Sequence, residues 1–281
     1  MLQQLLDILT LEPSGDDGFV GEIMHPKGFR VYGGQVLAQA LEAAQSTVDI
    51  DRAVHSQHAY FLREGKTDRP IHYQVERARD GGSFNSRRVV ASQDDRTILV
   101  SSMSFQRPDD SFDFQESIPE VPAPEDLPSE RERAKTDGIF DEDFMITTGE
   151  DIDVRMVHPI QWANPEQRRG QLFNWMKTTG PMPDDPALHR NMLAYFSDTM
   201  LLDAGLIQHG RSYWDRGLQI ASLDHAIWFH EPVNVSEFLL YECDSPWAGN
   251  ARGFNRGQFW SQDGTLLAST TQEALVRPKT H

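Results

Sequence analysis

The chain has 281 residues, 38% of them hydrophobic and 25% charged; this fits a globular protein with a sizeable core and excludes a disordered chain. A formal net charge of −17 argues against nucleic acid as the main partner, because phosphate binding needs a basic face. The single cysteine, Cys243, rules out an internal disulfide, and no apolar run approaches the roughly 18 residues of a membrane span. The N-terminal MLQQLLDILTLEP lacks a signal peptide's basic start and cleavage site, and Lys279-Thr280-His281 is not a peroxisomal tail. The expected location is the cytoplasm, with no membrane partner.

In chain order, a strand-like run at 19–23 precedes Gly33-Gly34, where missing side chains let the backbone approach something closely. Val36-Leu37-Ala38 opens a helical pattern whose apolar positions continue at 40, 41 and 44. Strand-like runs follow, including His58-Ala59-Tyr60-Phe61-Leu62 and Thr97-Ile98-Leu99-Val100-Ser101. From Arg107 to Asp143 the composition shifts: prolines at 108, 119, 122, 124 and 128 stand among many carboxylates. Proline fixes φ and removes a donor, so this stretch reads as an extended surface connector. Beyond it lie a strand-like run at 171–175 and a second helical pattern, Met192-Leu193-Ala194, continuing at 196 and 200. That helix is punctuated by Asp185 as N-cap, Pro186 in the first turn and Gly205 as terminator. The last strands meet at Asp263-Gly264, a hairpin signal.

The two sides of the connector repeat one another. The helical patterns are offset by 156 residues, His58-Ala59-Tyr60-Phe61 matches His225-Ala226-Ile227-Trp228 at 167, and the last strands match near 168. The chain therefore divides into a first unit at 1–107, an acidic Pro-rich connector at 108–150 and a second unit at 151–281. Each unit reads as strands, one long apolar helix, then antiparallel strands. An apolar helix needs a sheet to bury it. The expected fold is α+β, a double hotdog: two tandem units, each an antiparallel sheet wrapped around a long helix.

Familiar catalytic signatures are absent: there is no G-x-S-x-G elbow, P-loop or dinucleotide fingerprint. His55 with His58, and His225 with His230, sit at odd spacing in strand-like runs, which sends the members of each pair to opposite faces and argues against a shared metal. Three polar residues of the second unit stand out. Asp198 is placed by the pattern in the middle of the second helix, where a buried carboxylate is costly without partners. Ser222 lies in a strand-like run, sharing a face with Ile220, Asp224 and Ala226. Gln272 ends the last strand-like run, with Thr270 on its face.

The chain resembles the acyl-CoA thioesterase II family over nearly its whole length. The resemblance shows in Val31-Tyr32-Gly33-Gly34-Gln35, His58-Ala59-Tyr60-Phe61-Leu62-Arg63, Ser83-Phe84 with Arg87-Arg88-Val89, Tyr195-Phe196-Ser197-Asp198, Asp224-His225-Ala226-Ile227-Trp228-Phe229-His230 and Ala251-Arg252-Gly253-Phe254. It implies hydrolysis of fatty acyl-CoA to free acid and CoA, within fatty-acid metabolism, by a catalytic set of Asp198, Ser222 and Gln272. An activated water held by these three attacks the thioester, so neither a metal nor another cofactor is required. Backbone N–H groups at Gly33-Gly34-Gln35 are candidate oxyanion donors. Arg77, Arg79, Arg87, Arg88, Arg252 and Arg256 are candidates for the CoA phosphates. A homo-oligomer, dimer or tetramer, is expected.

Other readings stay open at this point. Under the repeat offsets Asp198, Ser222 and Gln272 correspond to Glu42, His55 and Ser104, which could form a site of their own. The chain could also be a non-catalytic acyl-CoA sensor or an acyl-CoA hydratase-type hotdog enzyme. The latter needs a His close to its Asp, and none follows Asp198 until His209.

Overall fold

The computed structural model describes residues 2–24, 30–137, 151–162 and 164–279; the end of the connector, 138–150, lies outside the described residues. The first copy comprises α1 (Leu2–Leu9), β1 (Glu12–Pro13), β2 (Gly18–Gly21), α2 (Gly33–Gln45), β3 (Ala53–Phe61), β4 (Ile71–Asp80), β5 (Phe84–Gln93) and β6 (Arg96–Gln106). A short helix α3 (Glu130–Asp137) sits in the connector. The second copy comprises β7 (Ile152–Met156), β8 (Leu172–Thr178), α4 (Pro186–Ser197), α5 (Asp203–Leu206), β9 (Leu218–Ser222), β10 (Asp224–Phe229), β11 (Leu239–Gly249), β12 (Arg252–Ser261) and β13 (Leu266–Pro278).

The duplication is written into the strand order. The first copy runs β2-β4-β5-β6-β3 and the second β8-β11-β12-β13-β10. Counting from the strand before each long helix, and taking β9 with β10 as one strand, both orders are first-third-fourth-fifth-second. The copies join where β3 and β10 pair antiparallel, from Tyr60 opposite Asp224 to Ser56 opposite Trp228, so one sheet of 13 strands wraps two helices. This is the expected double hotdog.

The helices meet inside that sheet. Leu37, Leu41, Met192, Leu193 and Phe196 are buried in one hydrophobic core. The two backbones come close: a Cβ on Gly34 would lie 2.4 Å from the carbonyl oxygen of Tyr195. Polar ties across the contact run from Tyr32 Oη to the Tyr195 carbonyl at 2.9 Å and from Gln45 Nε2 to Asn191 Oδ1 at 2.8 Å.

At its start α4 follows the sequence, with Asp185 as N-cap accepting from the Ala187 N–H at 2.9 Å and Pro186 in the first turn. Its end differs. The helix stops at Ser197, and Asp198 is its C-cap rather than a mid-helix residue. Three carbonyls of the last turn accept from side chains: Ala194 from Ser197 Oγ, Tyr195 from Tyr32 Oη and Ser197 from Tyr241 Oη. A hydroxyl on a carbonyl replaces the next turn's N–H, so the helix can end inside the core. Met200 then takes a positive φ of 64° and turns the chain away. Gly205 terminates nothing; it lies in α5, where a Cβ would come within 2.8 Å of Asn255 Oδ1.

The connector is extended but does more than span. Ile118, Val121 and Leu127 pack on Trp175, Phe238, Leu240 and Trp260, the apolar outer side of the second copy's sheet. Trp175 Nε1 donates to the Pro122 carbonyl at 2.9 Å, and the Gln115 amide bonds Gly264 O at 2.7 Å and Leu266 N at 3.0 Å. The expected hairpin is present there, with Gly264 at φ +90°.

Candidate active site

Asp198 and Ser222, which lie 74 and 50 residues before Gln272 along the chain, come together with it. Gln272 Nε2 donates to Asp198 Oδ1 at 2.6 Å and to Ser222 Oγ at 2.9 Å. Gln272 is fully buried on the inward face of β13 with Thr270, while Asp198 and Ser222 are partly exposed. The amide uses both hydrogens on these two partners, which fixes its orientation.

Ser222 reaches that amide because of an irregularity the sequence did not announce. Ser222 pairs with Ala274, and Ala226 pairs with Thr271. The β9–β10 segment thus advances four residues while β13 advances three, which is a β-bulge centred at Leu223. A bulge re-aims the side chains on either side of it. The face expected to be shared by Ser222, Asp224 and Ala226 is therefore broken: Ser222 turns in towards Gln272, and Asp224 Oδ1 instead accepts the Glu273 N–H at 2.7 Å.

The first copy contributes to the same place. The Gly34 N–H bonds the Asp198 carboxylate, so this amide, expected to serve an oxyanion, is already committed. A Cβ on Gly33 would sit 2.6 Å from Asp198 Oδ2 and 3.2 Å from the Phe61 ring, so only glycine leaves the carboxylate's second oxygen clear. The Phe61 N–H bonds the Leu223 carbonyl at 2.9 Å, tying β3 to the bulge. Burial raises the Asp198 carboxyl above its ordinary range, while the bonds from Gln272 and Gly34, with the charge of Arg30, oppose that rise. Desolvation makes such a carboxylate more basic, and the donors oppose its neutralisation.

Glu42, His55 and Ser104 are not brought together. Glu42 Oε2 accepts from Asn191 Nδ2 at 2.6 Å as part of the helix–helix contact. The β3–β6 register slips between Val54 and Ser56, making His55 the bulged residue of the first copy, edge-on to Phe84 with centroids 5.8 Å apart. Matching the two bulges puts the repeat offset at 168 between β3 and β9–β10, one more than the histidine match suggests, and at 169 between β6 and β13. Ser222 then corresponds to Val54. On β6 the inward series is Ser101, Met103 and Phe105, so Gln272 corresponds to Met103 and Ser104 lies on the opposite face. Val54 and Met103 are both buried and apolar. The first copy has filled the equivalent of the polar site with hydrocarbon.

The same one-residue slip separates the matched histidines. His58 is exposed on the outer face, edge-on to Trp228, whereas His225 is buried with Nε2 2.8 Å from Ser197 Oγ. Desolvation pushes the His225 imidazole down to about 3, so it stays neutral. His230 Nε2 lies 2.9 Å from Ser269 Oγ. No three His, Cys, Asp or Glu side chains among the described residues are placed to hold a metal. Of the six candidate arginines, five already carry ion pairs: Arg77 with Asp17, Arg87 with Asp80, Arg88 with Glu76, Arg252 with Glu273 and Arg256 with Asp244.

Comparison with known proteins bears on what this site belongs to. Residues 155–275 match the acyl-CoA thioesterase family profile, and residues 22–106 match the acyl-CoA thioesterase N-terminal domain. The chain is 38% identical to acyl-CoA thioesterase 2 of Haemophilus influenzae, over 99% of this chain and 98% of that protein. It is 34% identical to human acyl-coenzyme A thioesterase 8, over 97% and 88%. The crystal structure of an acyl-CoA thioesterase II from Mycobacterium marinum superposes with a TM-score of 0.81 at 36% identity, covering 100% of this chain and 99% of that one. With similarity of this extent running through both copies and their shared sheet, the chain belongs to the acyl-CoA thioesterase family.

Proposed function

We propose that the chain hydrolyses fatty acyl-CoA to free fatty acid and CoA, by direct attack of a water held by Asp198, Ser222 and Gln272. The observation that carries this is the single amide of Gln272 bridging a carboxylate and a hydroxyl. Because the Ser222 oxygen accepts from Gln272, its own proton is free to point towards the substrate. Asp198 Oδ2, kept clear by Gly33, takes a proton from the water as its oxygen bonds the thioester carbon. The tetrahedral intermediate then collapses, the carbon–sulfur bond breaks, and the proton on Asp198 passes to the leaving sulfur. General-base assistance of this kind contributes roughly 10²–10⁴ in rate. With Gly34 committed, the first-turn amides of Gly33 and Gln35 and the Ser222 hydroxyl are the candidate oxyanion donors.

An acyl chain buried in an apolar passage gains about 0.8 kcal/mol per methylene, so passage length sets preference at about fourfold per carbon. The CoA phosphates would have to compete with the acidic partners of the paired arginines. No helix of the described residues is long and apolar enough to cross a membrane. A role in cytoplasmic fatty-acid metabolism, as a dimer or tetramer, fits this reading.

The test is thiol release across an acyl-CoA panel from short to long chains, with Asp198→Asn, Gln272→Leu and Glu42→Gln alongside. Release lost in the first two and kept in the third supports the assignment. Loss only with Glu42→Gln overturns it. Stoichiometric acyl-CoA binding without any thiol release would make the chain a sensor instead.

A further inference from the structure

Arg30 stands next to the site without being part of any motif that led to it. It comes from the first copy, just before Gly33-Gly34, yet its guanidinium bonds the second copy. Nη1 and Nη2 lie 3.4 and 3.5 Å from the carbonyl of Ile220, two residues before Ser222 on β9. Nη2 also donates to the hydroxyl of Tyr213, in the loop leading into β9, and Nη1 pairs with Glu64 at 3.6 Å. β9 is the short strand whose register ends at the bulge, and β13 is its only neighbour in the sheet among the described residues. Arg30 thus clamps the free side of the strand that carries Ser222.

We propose that Arg30 is a positioning residue for hydrolysis: it holds the Ser222 strand in place and is the cation set beside Asp198. This deepens the proposed function and rests on Asp198 being its base. The groups facing Asp198 are the Gly34 amide and Tyr32 beside α2, Tyr195 on α4, Tyr241 on β11 and Gln272 on β13. None of these carries a positive charge, and Arg30 is the cation whose charge opposes the desolvation of Asp198. Facing Arg30 are Tyr213, Glu64 and the Ile220 carbonyl. Glu64 is exposed and can be screened, whereas Asp198 cannot leave its site.

The experiment compares kcat and KM over pH for Arg30→Met, Arg30→Lys, Tyr213→Phe and Asp198→Asn, using acyl-CoA and thiol detection on the full chain. For Arg30→Met the expected result is a kcat lowered roughly 10- to 100-fold with KM changed little. The acid limb of its kcat profile should move upward. Arg30→Lys should restore the limb but only part of kcat, because an ammonium carries the charge without the fork that spans Ile220 and Tyr213. Tyr213→Phe should lower kcat while leaving the limb in place. An acid limb unmoved in Arg30→Met, or an effect on KM alone, overturns the proposal. If Arg30→Met does not fold, Arg30→Lys and Tyr213→Phe decide it, and wild-type kcat in both overturns the clamp. Full activity in Asp198→Asn instead sinks the underlying site assignment, an outcome distinct from any Arg30 result.

Discussion

Gly33 and Gly34 look interchangeable in the sequence, but they are glycines for different reasons. At Gly33 the obstacle to a Cβ is the Oδ2 of Asp198; at Gly34 it is the backbone of α4. Gly33→Ala should therefore lower kcat about 100-fold while leaving the melting temperature within a few degrees, because 2.6 Å from Oδ2 a methyl displaces the water position. A mutant with normal kcat would show that Oδ2 is not the working oxygen. Ser222→Thr should keep activity within an order of magnitude, since the hydroxyl on which Gln272 depends survives. Ser222→Ala should lose far more, leaving one Gln272 hydrogen buried without an acceptor. Residue identities were legible in the sequence; their geometry was less so. The helical pattern around Asp198 gives no sign of where the helix stops, because the stop is made by Tyr32 and Tyr241, hydroxyls from distant parts of the chain.

At the scale of elements, the two helices and most strands follow from periodicity, and the capping of α4 by Asp185 follows from local chemistry. What periodicity cannot supply is a bulge, since one extra residue leaves composition and alternation almost unchanged while inverting a face. Alternation alone therefore groups Ser222 with Asp224 and points to His55 and Ser104 as first-copy counterparts, where the sheet pairs Val54 and Met103 with the site positions. The connector differs from its sequence expectation in one respect, for a related reason. Prolines and carboxylates announce an extended exposed chain, but Ile118, Val121 and Leu127 between them cover an apolar sheet face that is recognisable only once the sheet is formed. The helix–helix contact gives a sharp test here. Gly34→Ala should cost about 1–3 kcal/mol of unfolding free energy in urea, because the clash is with a carbonyl that cannot rotate away. An unchanged midpoint would mean the helices can separate at this crossing at no cost.

At the scale of the whole molecule, two buried titratable groups pull stability in opposite directions with pH. Burial lifts the Asp203 carboxyl to about 7 from an ordinary 3.8. Between those values the folded chain keeps a proton that the unfolded chain releases, so this group lowers stability as pH rises. His225, pushed down to about 3 from 6.5, refuses a proton that the unfolded chain accepts, so it lowers stability as pH falls through that interval. Each slope is about 1.4 kcal/mol per pH unit at most. Asp203→Asn removes the first slope alone. Its melting temperature relative to the parent should rise clearly from pH 4 to pH 8, and a constant difference across that range would contradict the burial argument.

The seam between β3 and β10 also gives the chain a history. As the protein is synthesised, the strands of the first copy are complete once β6 has emerged, but β3 then lacks its partner on one edge and leaves a row of open N–H and C=O groups. Its partner strand ends 123 residues beyond the end of β6, from Gln106 to Phe229, which at ordinary translation rates means roughly 6–25 s of waiting. An open edge of this kind is a template for any other strand, above all for the β3 of a neighbouring nascent chain on the same message. The first copy's outward Arg88, Glu76 and His58 blunt its faces, and the bulge at His55 interrupts β3, but from Ser56 to Tyr60 that edge stays open until β10 arrives. Ribosome spacing and chaperone access during that interval, more than the stability of the finished sheet, would then set how much of the protein reaches its native form.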